Sequence, residues 1–178
     1  MGSRAGRIEI TGAVPGDRAA ILELLRAADL PAEDELALDD FAVARRGSWI
    51  AGAVALEAYG RAGLLRSLVV EPGSRGQGLA DRLVEHALAR AWQRGVETLW
   101  LLTTTAGAYF ARWGFGEVPR AEAPAEIQDH PQFRGLCPVT ATCMRRQLAG
   151  AASAFPRGTL PLQTDVPGAR CFAVALER

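Results

Sequence analysis

The stretch RGQGLA, Arg75 to Ala80, sets two glycines and an arginine between the apolar run SLVV and an amphipathic one. Glycine lets backbone N–H groups approach a ligand closely, and a helix N-terminus behind it favours negative charge. The chemistry indicated is phosphate binding. Upstream, Glu57 interrupts the apolar run WIAGAVALEAY, and Arg66 interrupts LLRSLVV. Burial raises a carboxylate's pKa and suits it to general-base work. A guanidinium in such a run binds a carboxylate bidentately. The two also suit each other as a buried ion pair, and Glu57 reads equally as a solvated edge carboxylate. His86 and His130 have no partners at ligand spacing and read as surface residues. Cys137 and Cys143, in an apolar terminal segment, read as core.

Elements must position these groups. RIEITGA reads as a first strand, followed by a helix with Ile21, Leu24, Leu25 and Ala28 at helical spacing, Asp17 as N-cap and Pro31 as terminator. Five of the eight residues Glu33 to Asp40 are acidic, a solvated face or the rim of a cleft. FAVA, WIAGAVALEAY and LLRSLVV, joined by RRGS and GRAG, predict an antiparallel meander. By alternation Glu57 shares a face with Trp49 and Tyr59, opposite Ile50, Val54 and Leu56. Leu79, Leu83, Ala87 and Ala91 mark a helix that ends with Gly95 at C′. ETLWLLTTT is a strand buried on both faces. AGAYFARWGF is a short helix capped by a threonine of the triplet, and FGEVPR a further strand. Ala121 to Pro138 is irregular with one helical turn after Pro124, and ATCMRRQL is a last strand. From Ala149 the chain is small, Pro- and Gly-rich and reads as an appendage closing in the strand-like RCFAVALE.

Several phosphate loops are excluded. All twenty basic residues are arginine, so a P-loop lysine is missing, and Asp81 occupies the third small position of the dinucleotide fingerprint. What fits is Arg-x-x-Gly-x-Ala after SLVVEP. With LVVEP before it and YFARWGF after it, this motif resembles the coenzyme A signature of the GNAT superfamily of acetyl-CoA-dependent N-acetyltransferases, over roughly Ile8 to Leu148. The resemblance implies an α/β fold with a splayed, mixed but mostly antiparallel sheet, and divides the chain into a domain over 1–148 and an appendage over 149–178. It implies that the amides of Arg75, Gly76, Gln77, Gly78, Leu79 and Ala80 cradle the pyrophosphate. Leu68, Val69 and Val70 would pair with the pantetheine arm, and Phe110 would pack on it.

LEAYGRAGLLRSLVVEP, LLTTTAGAYFARWGF and FRGLCPVTATCM further resemble arsenic-resistance N-acetyltransferases, a bacterial group similar to short-form amino-acid (glutamate) N-acetyltransferases. This implies acetyl transfer from acetyl-CoA to the amino group of a small amino acid, glutamate-like or a toxic arsenical or phosphinic analogue, with no metal. Such a reaction needs an uncharged amine, oxyanion stabilisation and a proton for the thiolate. Glu57 is the expected base, and the N–H of Leu68 or Val69 serves the oxyanion if the strand bulges there. Arg66, with Ser67 as companion, is the expected carboxylate binder. Many relatives place a tyrosine four residues before the glycine of Gly-Phe. Phe110 stands there, and Tyr109 lies one residue earlier, about 100° around the helix. Either Tyr109 reaches the sulfur by a local twist or the thiolate leaves without a side-chain acid. The alternatives are a non-catalytic acetyl-CoA-binding module and a thiol-based metalloid binder using Cys137 and Cys143.

Bulk properties fit that frame. At 178 residues, 49% hydrophobic and 22% charged with zero formal net charge, one domain with a core independent of disulfides or metal is expected. Nothing global attracts nucleic acid or an anionic membrane. Three cysteines are too few for a disulfide framework. No run reaches the ~18 apolar residues of a membrane span, and MGSRAGR lacks the apolar core of a secretion signal. The expectation is a cytoplasmic protein whose partner is a small-molecule amine, with a homodimer allowed.

Overall fold

The computed structural model describes residues 7–32 and 36–148. The expected appendage, with RCFAVALE and Cys171, lies outside them, as do Glu33, Asp34 and Glu35. The meander forms as expected, from β2 (Phe41–Arg46), β3 (Trp49–Tyr59) and β4 (Ala62–Val70). Before it come β1 (Glu9–Gly12) and α1 (Arg18–Ala27). After it come α2 (Leu79–Gln93), β5 (Thr98–Thr103), α3 (Gly107–Arg112), β6 (Gly116–Glu117), α4 (Ala125–Gln128) and β7 (Thr142–Gln147). The sheet has seven strands in the order β1-β2-β3-β4-β5-β7-β6. Only β4 and β5 run parallel, because α2 carries the chain back across the sheet between them. Their pairing covers Ala62–Leu64 against Thr98–Trp100 and goes no further. Beyond it the strands part, so the sheet is splayed at its centre.

Two bulges decide which side chains face which way. Ser67 and Leu68 of β4 together oppose the single Val54 of β3, and Ser67 adopts the left-handed conformation with φ 57°. Opposite the end of β4, a Cβ on Gly52 would lie 2.7 Å from the Val69 carbonyl, so only glycine fits there. In β3, Ala51 is an extra residue between the pairs Ala44–Gly52 and Arg45–Ile50. That extra residue corrects the simple alternation. Ile50 joins Ala53 and Ala55 against α1, whereas Val54 and Leu56 face α2.

The helix ends show what local chemistry decides. Gly95, at φ 73°, terminates α2 as expected, with Val96 N–H bonded back to the Ala91 carbonyl at 2.9 Å. Helix α1 stops earlier than Pro31. Asp29 takes the left-handed position (φ 53°), and Leu30 N–H returns to Leu25 O at 2.9 Å. Asp17 stands at the N-cap of α1, but its carboxylate accepts from Val14 N–H at 2.8 Å and from Arg45 instead of capping the helix. Thr103 accepts the Ala106 N–H at 2.9 Å at the entry to α3, as the threonine triplet predicts.

Alternation divides the core between two faces. Leu65, Leu68, Leu99 and Leu101 pack with α2 and α3 on one face. On the other face α1 covers β2, β3 and Val69. The chain between Ala123 and Ala141 covers Leu64, Trp100 and Leu102. β5 is therefore buried on both faces, as its near-continuous apolar run requires. Of the acidic run, Asp39 and Asp40 anchor arginines of α2: Arg94 meets the Asp40 carboxylate at 3.1 Å, and Arg90 the Asp39 carbonyl at 2.6 Å. Among the described residues no helix is long and apolar enough to cross a membrane.

Candidate active site

The glycine loop opens α2 as the sequence predicts. Gly78 is the N-cap, left-handed at φ 67°, and no side chain caps the helix. Gly76 is also left-handed (φ 79°), and a Cβ at either position would meet nothing within 4 Å. Arg75, Gly76, Gln77 and Gly78 are exposed, and Leu79 turns inward to anchor the first helical turn. Unanswered amides at the head of a fifteen-residue helix form an anion seat. Asp81, one turn in, accepts the Tyr109 hydroxyl at 2.9 Å. Its carboxylate is thereby held toward α3.

The second assembly gathers around Glu57. Arg66, on the neighbouring strand, donates its Nε to Oε1 and its Nη1 to Ser67 Oγ at 3.2 Å, and its guanidinium lies 5.4 Å over the Phe41 ring. Tyr59, two residues along β3, donates its hydroxyl to Oε2. His130 Nε2 lies 3.3 Å from the same oxygen, while His130 Nδ1 accepts the Gln132 N–H at 3.1 Å. Glu57 and Arg66 side chains are 14% and 11% exposed, so the pair is largely withdrawn from water.

This arrangement corrects the expectation for Glu57. Burial alone does raise its pKa, and that is the largest single influence. The hydrogen bond from His130, the Arg66 charge and the Tyr59 hydroxyl together outweigh it and bring the carboxyl down to about 2. Glu57 is an anion that three neighbours hold, and its affinity for a further proton is low. Tyr59 is pushed in the opposite direction by burial and by the adjacent carboxylate.

His130 is the residue the sequence reading missed. It is 12% exposed rather than superficial, and it reaches Glu57 from more than seventy positions away. His86 is half-buried on α2, where desolvation lowers its pKa. Together Pro31, Leu36, Arg66, His130, Gln132 and Leu136 line a small pocket. Its walls come from the chain after α1 and from the segment before β7, and its floor is β4. The pocket therefore lies on the face opposite α2, and the β4 bulge stands between it and the glycine loop.

The other predicted residues fall in the core. Tyr109 is 2% exposed, and burial and Asp81 push its pKa well above the usual phenol range. Phe110 is fully enclosed, with Tyr109 and Phe115 edge-on at 5.2 and 5.6 Å. Leu68, Val69 and Val70 are buried. On one side Val69 and Val70 pair with Ala53 and Gly52, and on the other they border the splay. Cys137 and Cys143 share the same core cluster, and burial pushes the Cys143 thiol up to about 11. Among the described residues no group of three or more His, Cys, Asp or Glu is placed to hold a metal ion.

Residues 37–117, from the chain before the meander to β6, match the acetyltransferase (GNAT) domain family. This segment is a GNAT acetyltransferase domain. The GNAT match takes in Glu57, Arg66, the β4 bulge, the glycine loop and Tyr109, and ends before His130 and Gln132. Over 102 residues the chain is 36% identical to an amino-acid acetyltransferase of Pseudomonas putida (strain GB-1), a stretch covering 56% of this chain and 22% of that protein. An amino-acid acetyltransferase of Ralstonia nicotianae is 34% identical over 97 residues, 53% of this chain and 20% of that protein. The chain thus spans about a fifth of the length of these relatives. Among solved structures, N-acetylglutamate synthase from Neisseria gonorrhoeae, complexed with coenzyme A and N-acetyl-glutamate, superposes with a TM-score of 0.72 at 23% identity. That superposition covers 83% of this chain and 36% of the synthase chain. Rv2747 from Mycobacterium tuberculosis, in complex with CoA, superposes at 0.69 with 23% identity, over 79% of this chain and 99% of its own. At these identities the likeness is one of fold.

Proposed function

We propose that the protein transfers an acetyl group from acetyl-CoA to the amino group of a small amino acid, glutamate-like or an arsenical or phosphinic analogue of one. The glycine loop carries this reading: left-handed Gly76 and Gly78 leave the amides from Gly76 to Ala80 open at the head of α2, while the Arg75 N–H is donated to the Pro72 carbonyl at 3.4 Å. Those amides suit a pyrophosphate. The β4 edge at Leu68, Val69 and Val70 faces the splay and suits an amide-bearing arm laid along it like a further strand. Bound acetyl-CoA supplies the activated acyl group. The substrate class draws support from Arg66 in the pocket floor and from the names of the amino-acid acetyltransferase relatives.

On this reading the amino acid enters from the pocket face and the thioester from the α2 face, meeting at the β4 bulge. Leu68, left without a ladder partner in β3, is favoured over Val69 as the amide that stabilises developing negative charge on the acyl oxygen. Arg66 binds the substrate carboxylate. Ser67 holds the guanidinium through its Oγ rather than meeting substrate directly. Glu57, ionised and bonded to three neighbours, orients Arg66 and His130 instead of taking the amine proton. Tyr109 spends its hydroxyl on Asp81, so the thiolate leaves without a side-chain acid and Tyr109 ties α3 to α2. The ammonium gives up its protons to solvent, the coenzyme A thiolate is released unprotonated, and the rate rests on proximity and the bulge amide.

The test is acetyl-CoA-dependent thiol release by the purified protein, measured against a panel of amino acids and their phosphinic and arsinic analogues. Turnover is expected with carboxylate-bearing amino acids. Tight acetyl-CoA binding with no turnover on any amine would leave a binding module, and absence of acetyl-CoA binding would refute the reading outright.

A further inference from the structure

Gln132 is 2% exposed, and its side-chain carbonyl Oε1 is buried without a hydrogen-bond partner. Buried carboxamides are ordinarily satisfied, so an unpaired one on a cavity wall needs an explanation. Disorder of the segment does not supply it. The Gln132 N–H is donated to His130 Nδ1 at 3.1 Å, and the Gln132 carbonyl accepts the Cys137 N–H at 3.1 Å. His130 is in turn held against Glu57. Both backbone groups of Gln132 are therefore pinned, while its side-chain acceptor is left open. That side chain lines the same pocket as the Arg66 guanidinium, between the apolar walls of Pro31 and Leu36.

A cavity holding one guanidinium and one unpaired carbonyl suits a ligand with an anionic group and an N–H donor close together. An α-amino acid carries both on one carbon. We propose that Gln132 accepts a hydrogen bond from the acceptor amine and so sets the position of the nitrogen that attacks. This deepens the function proposed above and rests on its amino-acid substrate class. Arg66 takes the carboxylate and Gln132 takes the amine. A carbonyl acceptor holds the ammonium through one N–H, and once the nitrogen has lost a proton to solvent its lone pair is free to attack. It discriminates by chemistry as well, because a ligand with no N–H leaves the carbonyl unpaired.

Glutamate and glutarate test this, since they differ only in the amino group. Calorimetry with coenzyme A present measures binding without turnover. The wild type is expected to prefer glutamate by about tenfold or more, the range of one buried hydrogen bond. Gln132→Met, nearly isosteric but without an acceptor, should bring glutamate down to the glutarate affinity and leave glutarate unchanged. Gln132→Glu should widen the preference, because a carboxylate attracts the ammonium and repels glutarate. Unchanged melting temperatures establish that both variants fold. A preference that survives Gln132→Met, an equal loss on both ligands, or a wild type that binds no glutamate at millimolar concentration overturns the proposal. If glutamate binds through Gln132 yet no amino acid is acetylated, the proposed function fails, and Gln132 stands as the amine contact of an amino-acid-binding site but not as a group that positions an attacking nitrogen. If amino acids are acetylated and the variants keep the wild-type preference, the reverse holds.

Discussion

Replacing Glu57 by glutamine separates its charge from its shape. The carboxyl lies at about 2 in the folded chain against an ordinary 4.5. At about 1.4 kcal/mol per tenfold change in proton affinity, the ionised group contributes about 3 kcal/mol to folding. Because the folded value is the lower one, that contribution is complete above about pH 4.5 and is lost as pH falls toward 2. Glu57→Gln should therefore cost about 3 kcal/mol near neutral pH, where it leaves the Arg66 guanidinium, 9% exposed, facing a neutral amide. By about pH 3 the difference between wild type and variant should have shrunk to less than half. Urea denaturation of both proteins at several pH values, followed by circular dichroism, reads this directly. A difference that stays constant with pH would refute the ion-pair reasoning. The kinetic companion is equally sharp. With Glu57 as an anchor for Arg66, the variant's KM for the amino acid should rise and its kcat change little. A kcat loss in the ~10²–10⁴ range of a missing general base, recovered at high pH, would restore the base role instead.

Gly78→Glu should abolish acetyl-CoA binding by charge and bulk at the helix head. A Cβ there meets no neighbour, and the left-handed backbone costs about 1 kcal/mol, so circular dichroism should stay native with a lowered melting temperature. Wild-type affinity in a folded variant would remove the central assignment. Arg66→Ala should raise KM for amino acids far more than for amines without a carboxylate, and an equal loss on both would make Arg66 purely structural. Tyr109→Phe should lower stability by about 1 kcal/mol through the lost bond to Asp81 with kcat preserved. A kcat loss that grows with pH would instead make Tyr109 the acid.

What the sequence made legible was mostly what neighbours along the chain decide. The meander, the glycine loop, Gly95 at the end of α2 and the doubly buried β5 follow from periodicity and turn chemistry. Alternation failed at Ile50 because the extra residue Ala51 shifts the β3 register, and nothing in WIAGAVALEAY announces a bulge. The site was half legible. Glu57 and Arg66 stood out as charges in apolar runs, and their mutual pairing was one of the open readings. The direction of the Glu57 pKa depended on His130 and on the Arg66 charge, brought beside it from a distant segment and a neighbouring strand. No local signal reports such donors. His130 and Gln132 sit in an irregular, polar stretch whose composition resembles any loop.

The short pairing of β4 with β5 reaches beyond the active site. A sheet whose central strands part after three residue pairs carries two strand edges inside the molecule, where most proteins have them only at the rim. An edge is a standing invitation to another chain, and this one is closed only by whatever lies in the gap. If acetyl-CoA fills it, the metabolite becomes part of the folded architecture, and resistance to unfolding becomes a function of its supply. At a hundred times the dissociation constant such a ligand adds about 2.7 kcal/mol, comparable to the whole contribution of the Glu57 charge. The lifetime of this protein in a cell would then follow the nutritional state through occupancy of its own sheet.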